Sequence, residues 1–341
     1  MKRHGYLYEQ ICSMDNLILA HHNARKGKRR YREVKMVNEE EYNYLLYLKY
    51  MMENRTYHTS KYEVFIKKDG EKEREIYKLP YFPDRICQWA IIQVCEPIFM
   101  SKFISTTYSA IPGRGTHKCL RDVCRAIRDD NYGCMYCLKL DIRKYYPSIP
   151  HKELKEMYAD MFKDDDLLWL LNEIIDSTEG EVGIPIGNYL SQYSGNLYLS
   201  KFDHWIKEKM RVKYYFRYMD DMVILHHDKE FLHALLEEIQ DYLTDMKLTL
   251  KPNYQVFPTY ERGIDFVGYR IFEDYVLLRK RTANRFKSAM NRIEDWDNLT
   301  EHERCKIASY KGILKHCDSY RLAEKYIRGD KNEKTNSSFI I

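Results

Sequence analysis

The residues best suited to chemistry are Tyr218-Met219-Asp220-Asp221, where two adjacent carboxylates interrupt apolar runs at 212–218 and 222–225. Period and composition on either side predict a β-hairpin whose tight turn holds both acids at its tip. Two like charges in an apolar frame are costly unless a cation neutralises them, because desolvation and repulsion both oppose ionisation. A third carboxylate, Asp141, ends another apolar strand pattern in Leu138-Lys139-Leu140-Asp141-Ile142-Arg143-Lys144-Tyr145-Tyr146. Three acids from two neighbouring strands can hold two Mg²⁺ roughly 3.5–4 Å apart, the arrangement that clamps attacking and leaving oxygens in phosphoryl transfer.

Those acids need a scaffold, and the pattern is continuous, with no Pro/Gly/Ser linker and no repeat. Residues 10–55 read as helical, and 64–76 as a hairpin turning at Asp69-Gly70. Residues 84–100 and 115–129 read as helices, 135–140 as a strand, and 151–177 and 189–210 as helical segments. After the Asp-Asp hairpin come a helix at 229–243, short strands through Val256, at 266–271 and at 275–278, and a helical tail at 282–327.

A chain of 341 residues, 44% apolar and 31% charged, is long enough for a sizeable core and is neither disordered nor fibrous. No run approaches 18 apolar residues and the N-terminus lacks the apolar stretch of a signal peptide, so no membrane partner and a cytoplasmic location are expected. Nine cysteines without framework spacing agree with a reducing compartment. Cys134 and Cys137 form a C-x-x-C with no second pair, and packing is the expected role. Net charge is only +5, but residues 1–35 carry nine Lys/Arg against three acids, a balance of +6. The cluster Arg25, Lys26, Lys28, Arg29 and Arg30 is a candidate phosphate-contacting patch. A second basic stretch is Arg279-Lys280-Arg281 with Arg285 and Lys287.

In order and spacing these blocks resemble a reverse transcriptase of prokaryotic, group II intron-like type, with Asp141 in motif A and Tyr218-Met219-Asp220-Asp221 as motif C. Gly183-Ile184-Pro185-Ile186-Gly187-Asn188-Tyr189-Leu190-Ser191-Gln192 looks like motif B. The resemblance implies an α+β right-hand polymerase. Fingers with the basic N-terminal segment would occupy 1–135, a palm built on a split βαβ-like sheet 136–272, and a helical thumb with the tail 273–341. It further implies that Asp141, Asp220, Asp221 and the Ile142 carbonyl hold two Mg²⁺, with Mn²⁺ as the expected substitute. Lys67 and Arg74 on the 64–76 hairpin would grip the incoming dNTP; an Arg fork suits two phosphate oxygens and a Lys supplies a mobile charge. Tyr108 to His117 resembles motif 2, where many relatives carry a basic residue in place of Ile111, and Arg114 is the candidate to take over that contact. Gly187 and Gln192 belong to the dNTP-binding set as well. Tyr146, five residues after Asp141, matches the family's aromatic gate against a 2′-OH. Strand alternation allows only one of Tyr145 and Tyr146 on the Asp141 face, and the resemblance favours Tyr146. Phe266-Val267-Gly268-Tyr269 resembles the primer grip, which makes Gly268 a nucleic-acid contact.

The Ser191-Gln192 ending of motif B, the block Lys251-Pro252-Asn253-Tyr254-Gln255-Val256-Phe257 and Ser309-Tyr310-Lys311-Gly312-Ile313-Leu314-Lys315-His316 resemble reverse transcriptases of diversity-generating retroelements. Such enzymes copy a template-repeat RNA into cDNA with errors at template adenines. The implied partners are template RNA, its duplex with cDNA, dNTPs and a basic accessory variability protein. The alternative is a reverse transcriptase of another prokaryotic group, whether group II intron-like, retron or anti-phage.

Overall fold

The computed structural model describes residues 3–69 and 72–327. Helices α1 (Tyr8–Cys12), α2 (Met14–Ala24), α3 (Arg32–Glu39) and α4 (Glu41–Glu53) precede strands β1 (Glu63–Asp69) and β2 (Lys72–Lys78). Helices α5 (Ile86–Met100) and α6 (Thr116–Asp129) lead to β3 (Tyr136–Asp141). Next come α7 (Tyr145–Ser148), α8 (His151–Met161), α9 (Asp165–Asp176), α10 (Tyr189–Tyr198) and α11 (Ser200–His204), then β4 (Tyr214–Tyr218) and β5 (Asp221–His226). Helix α12 (Lys229–Asp245), β6 (Gln255–Pro258), α13 (Thr259–Arg262), β7 (Ile264–Phe266), β8 (Tyr269–Ile271) and β9 (Val276–Leu278) follow, and then α14 (Lys280–Asn291), α15 (Glu301–Leu314) and α16 (Tyr320–Tyr326). They fall into two units, Met1–Ser105 with Ile142–Lys209 and Gln240–Leu250, and Thr106–Asp141 with Met210–Ile239 and Lys251–Ile341.

The second unit holds a four-stranded antiparallel sheet of order β4-β5-β3-β6. Strand β5 lies between β3 and β4, although β4 precedes it in the chain, which is the split βαβ arrangement expected of the palm. The two central strands are buried at their middle positions, Cys137, Leu138 and Leu140 on β3 and 222–225 on β5, and read as largely apolar runs interrupted in β3 by Lys139. One face is covered by α6, whose Cys119, Leu120, Val123, Cys124 and Ile127 recur at helical spacing and pack against Cys137, Phe216, Val223 and Leu225. Cys134 and Cys137 are both part of this core. A three-stranded sheet, β7-β8-β9, joins the same cluster through Phe266, Tyr269 and Ile271. The expected strand at 266–271 is instead a hairpin. Val267 (φ 43°) and Gly268 (φ 94°) form a two-residue turn with both φ positive, the twist that a type I′ turn supplies. A separate apolar cluster of Phe286, Met290, Ile293, Ile307 and Leu314 joins α14 to α15.

The first unit is mostly helical. The run expected at 10–55 is divided into four helices. Ser13 caps α2 by accepting from the Asn16 amide (3.3 Å), and Gly27 takes a positive φ in the basic segment after α2. Likewise 151–177 divides where Asp164 accepts from Leu167 N (3.4 Å) at the start of α9. The other oxygen of Asp164 accepts from Leu7 N (2.9 Å) and Tyr8 N (3.0 Å), which ties down the N-terminal segment. The tip of the β1–β2 hairpin, Gly70 and Glu71, lies outside the described residues, as does 328–341 of the expected thumb tail.

Gly187 is required twice over. Its φ is +122°, and a Cβ there would stand 3.0 Å from the Tyr77 carbonyl oxygen, because Tyr77 N donates to the Ile186 carbonyl at 2.9 Å. Gly180 shares the positive φ (+88°) but faces open space. Gly187→Ala is therefore expected to cost ~2–3 kcal/mol of unfolding free energy and Gly180→Ala only ~1 kcal/mol. Equal shifts of the denaturant midpoint in the two variants would remove the close approach from the account.

Candidate active site

Strand register builds the acidic centre. Asp141 is the last residue of β3 and Asp221 the first of β5, and the two are direct cross-strand partners. Asp220 lies one residue away, in the two-residue turn Met219-Asp220 that closes β4 onto β5 beneath the Tyr218–Asp221 pair. The acids expected side by side at the tip are thus divided between turn and strand. Met219 carries φ 58°, a left-handed conformation that costs a non-glycine residue ~1–2 kcal/mol. Its carbonyl accepts from Nη1 of Arg217 (3.0 Å), a guanidinium fully buried in β4 that pins the turn from behind.

Like charges directly opposite in a sheet are destabilising. Burial pushes the Asp221 carboxyl up to about 6, and Asp141 and Asp220 add to the rise while Lys139 opposes it. Asp220 is also raised to about 6, first by burial and then by the charge of Asp141. Two lysines answer the negative charge. Lys251 Nζ stands 2.5 Å from Asp141 Oδ2, and Lys139 Nζ is 3.7 Å from Asp221 Oδ1. Lys139 also donates to the Asp265 carbonyl, and the Asp265 carboxylate pairs with Arg279 at 2.5 Å. Even so, Asp141 Oδ1 and Asp221 Oδ1 are buried without a hydrogen-bond partner. Among the described residues no three His, Cys, Asp or Glu side chains close into a ready-made metal cage. The donor set is nevertheless all oxygen, only partly compensated by the two lysines and partly without hydrogen-bond partners, which fits a hard divalent cation such as Mg²⁺.

Ile142 follows Asp141, and its bridge to Leu250 is made by the flanking groups, Arg143 N to Thr249 O and Lys251 N to Asp141 O (both 2.8 Å), so this bridge does not use the Ile142 carbonyl. Beyond Lys144 (φ 46°) the chain enters α7, so helical geometry replaces the strand alternation expected of Tyr145 and Tyr146. The difference between the rings comes from burial. Tyr145 is buried with its hydroxyl donating to the Gly195 carbonyl, and Tyr146 stays half-buried. Arg114 donates to the Thr107 carbonyl (2.9 Å), and burial lowers its pKa. Gln192 is half-buried on α10, and Gly268 sits in the β7–β8 turn, its carbonyl accepting from Arg279 N at 3.0 Å.

Lys67 and Arg74 are cross-strand partners on β1 and β2, both exposed, so two cations face one another where an anion would relieve them. The basic N-terminal cluster is not uniform. Arg25 Nη1 donates to Asn38 (2.6 Å) and lies 3.9 Å from Glu41, Lys26 donates to Asn23 (2.7 Å), and Arg29 and Arg30 are exposed. Lys28 is half-buried, with a pKa lowered chiefly by the charge of Arg85. Sequence reasoning passed over Lys139, Lys251, Arg217 and Arg85. Lys139 could have been found, since period 2 sets it on the face of Asp141; the other three become visible only through tertiary contacts.

The chain matches the family described as reverse transcriptase (RNA-dependent DNA polymerase) over residues 66–271, and it belongs to that family. It is 26% identical over 262 residues to Protein YkfC of Escherichia coli, covering 64% of this chain and 67% of that protein. It is 27% identical over 132 residues to an uncharacterized 91 kDa protein in cob intron of Schizosaccharomyces pombe, covering 36% of this chain and 16% of that one. Two structures of telomerase from Candida Tropicalis share the fold. The apo form has a TM-score of 0.53 over 70% of this chain and 51% of its own, and the form with a telomeric RNA fragment 0.50 over 76% and 49%, each at 12% identity. The chain therefore spans about half of the telomerase chains. No helix among the described residues is long and apolar enough to cross a membrane.

The carboxylates set a stability prediction for the metal-free protein. Their folded pKa of about 6 exceeds the ordinary 3.8, so ionisation is penalised in the fold; the penalty is absent below pH ~4, grows through pH 6 and is complete above it. In EDTA, Asp221→Asn is expected to unfold at a higher temperature than wild type at pH 8, by an amount on the order of 1–3 kcal/mol, and to converge with it near pH 4. Mg²⁺ at ten times its dissociation constant should stabilise wild type by ~1.4 kcal/mol and Asp141→Asn by much less. Equal Mg²⁺ shifts in both proteins would remove Asp141 from the metal site.

Proposed function

We propose that this chain is an RNA-directed DNA polymerase that extends a primer 3′-OH with deoxynucleotides on an RNA template. The observation that carries the reading is the register of Asp141 opposite Asp221 with Asp220 in the adjoining turn. Asp141, Asp220, Asp221 and the Ile142 carbonyl would hold two Mg²⁺, or Mn²⁺ in their place, which when bound activate the 3′-OH and neutralise the leaving pyrophosphate. Lys251 and Lys139 balance the carboxylates and keep them aimed. Lys67 and Arg74 form a facing pair of cations for the triphosphate, with Arg114 as a further phosphate donor. Gly187 lets backbone approach closely beside the nascent pair, and Gln192 lies five residues on. Tyr146 would exclude a 2′-OH, because Tyr145 is committed to the Gly195 carbonyl. Gly268, whose positive φ favours glycine and whose Cβ position faces open space, would meet the primer backbone.

Asp220→Asn is expected to cut primer extension on RNA by several powers of ten, each worth ~1.4 kcal/mol of barrier, while RNA binding persists. Near wild-type extension would eliminate the assignment. In the same assay Tyr146→Ala should admit rNTPs far more readily and Tyr145→Ala should not; the reverse would exchange their roles.

We infer further that the template is the repeat RNA of a diversity-generating retroelement, with a basic accessory protein as partner. The support is the Ser191-Gln192 ending of motif B and the blocks at 251–257 and 309–316. The likeness to a cob-intron protein favours the alternative, an intron-type or other prokaryotic enzyme. Fidelity separates the two. A pocket that holds template base and dNTP loosely loses discrimination first at A·T, and ~1.4 kcal/mol already changes selectivity tenfold. Sequenced cDNA made on a defined RNA should show frequent errors at template adenines and few elsewhere. Uniformly low error at all four bases would select the alternative.

A further inference from the structure

The apolar side of α6 packs on the palm sheet, so its opposite side is turned away from the strands that carry Asp141 and Asp221. That outward side presents Arg121, Arg125 and Arg128, spaced i, i+4 and i+7 and all exposed. None of the three makes an ion pair or a hydrogen bond among the described residues. The acids nearest in the chain do not neutralise them. Asp122 is paired with Lys118 at 2.7 Å and accepts from Tyr108 Oη at 2.9 Å, and Asp130 is paired with Lys213 at 2.7 Å. Like charges three and four residues apart on a helix repel, so this row weakens the free helix.

Stacked rings mark each end of the row. His117, one turn before Arg121, stacks on His316 just after α15, with centroids 3.7 Å apart and 24° between the planes. Past the other end a single 3₁₀ turn, Tyr132–Cys134, is tied back to α6 by Cys134 Sγ donating to the Ala126 carbonyl at 3.5 Å. It carries Tyr132, 69% exposed and stacked on His227 at 5.2 Å. The stack continues through His226 (4.4 Å) to Phe231 (4.1 Å), so Tyr132 is the outermost of four supported rings. Three cations without a counter-charge and an exposed ring beyond them suit a single strand, which brings phosphates for the guanidinium forks and bases for the π-face. An acidic protein surface would use the arginines and leave the ring without a role.

We propose that the outward face of α6 binds an unpaired segment of the RNA outside the copied stretch, with Arg121, Arg125 and Arg128 on its phosphates and Tyr132 against a base. This rests on the reading that the chain works on RNA, and it adds a second contact apart from the acidic centre. The copied stretch belongs at the acids, and this face is turned from them. From Arg121 to Arg128 the helix rises ~10 Å, against ~3.4 Å of axis per phosphate in a stacked strand, so the row meets about three phosphates. Thr116, at the start of α6, donates to Tyr218 Oη (3.3 Å) beside the acids, whereas His227 follows the far end of β5, roughly 17 Å from Asp221 by strand rise. The row therefore leads from the catalytic end of the sheet toward its opposite end.

The test uses the full chain and three RNAs carrying one short template annealed to one fluorescein-labelled DNA primer. One RNA ends with the duplex, and the others continue into ~12 unpaired nucleotides at the 5′ or the 3′ end, within the ~4–16 that a single-strand site covers. Anisotropy between about 50 and 200 mM salt should show wild type binding an extended RNA at least roughly tenfold more tightly than the bare duplex. Arg121→Gln, Arg125→Gln and Arg128→Gln combined should abolish that advantage and reduce the salt slope on the extended RNA by ~2, at ~0.7 per phosphate of a single strand. Tyr132→Ala should weaken the same RNA by about fivefold or more with the slope unchanged, because stacking releases no counterion. Both variants should keep the wild-type affinity, kcat and KM for dNTP on the bare duplex, and the wild-type melting temperature. An unchanged slope in the triple variant would return the face to solvent, and an equal loss on the bare duplex would give it to the primer and template themselves; either overturns the proposal. Binding of polyglutamate to wild type but not to the triple variant, with no advantage for either extension, would assign the face to an acidic protein and overturn it as well. Failure of wild type to extend any primer would count against the polymerase reading alone, since comparing extended with bare RNA needs no synthesis.

Discussion

Everything at the acidic centre depends on one constraint: like charges must be held together against their own repulsion before any cation relieves them. Sheet register is the device that does so. Hydrogen bonds along β3 and β5 set Asp141 against Asp221, and slipping the register by one residue would turn the side chains of a strand to the other face, away from α6 and its apolar partners. The apolar run of both strands therefore enforces the position of two carboxylates that would otherwise move apart. Burial of Leu138, Leu140, Met222 and Ile224 supplies the opposing free energy, each side chain worth ~1.5–3 kcal/mol when fully buried.

The same centre shows how strain is contained. Met219 in a left-handed turn is unfavourable by itself, yet Arg217 holds its carbonyl and the Tyr218–Asp221 pair closes the loop. Positions of this kind persist only where surrounding structure over-determines them, and they concentrate at functional sites. Lys139 and Lys251 reduce the excess negative charge without satisfying it, since two carboxylate oxygens keep no hydrogen-bond partner. A centre left short of positive charge in this way is prepared for a cation.

Away from the acids the imbalance reverses. Lys67 faces Arg74 across the β1–β2 ladder, and the charge of Arg85 lowers the pKa of half-buried Lys28. Although the net charge of the chain is only +5, like charges are set directly opposite one another within each unit, Lys67 against Arg74 and Asp141 against Asp221.

The local patterns were readable from the chain. Apolar runs around Asp141 and around Asp220-Asp221 marked the strands, helical spacing marked α6 and α12, and motif order carried the family, because each of these signals lives within a short window. Chain-local physics failed wherever a distant partner decides the outcome. Ser13, Gly27 and Asp164 break long helical runs through caps and turns that the apolar period does not reveal. Tyr145 and Tyr146 are told apart by a carbonyl fifty residues away, and Lys251 reaches Asp141 only because 249–251 bridge the end of β3. The identity of the acids was thus written in the sequence, whereas their facing register and the lysines that balance them follow from long-range hydrogen bonding and burial, which only the folded chain sets.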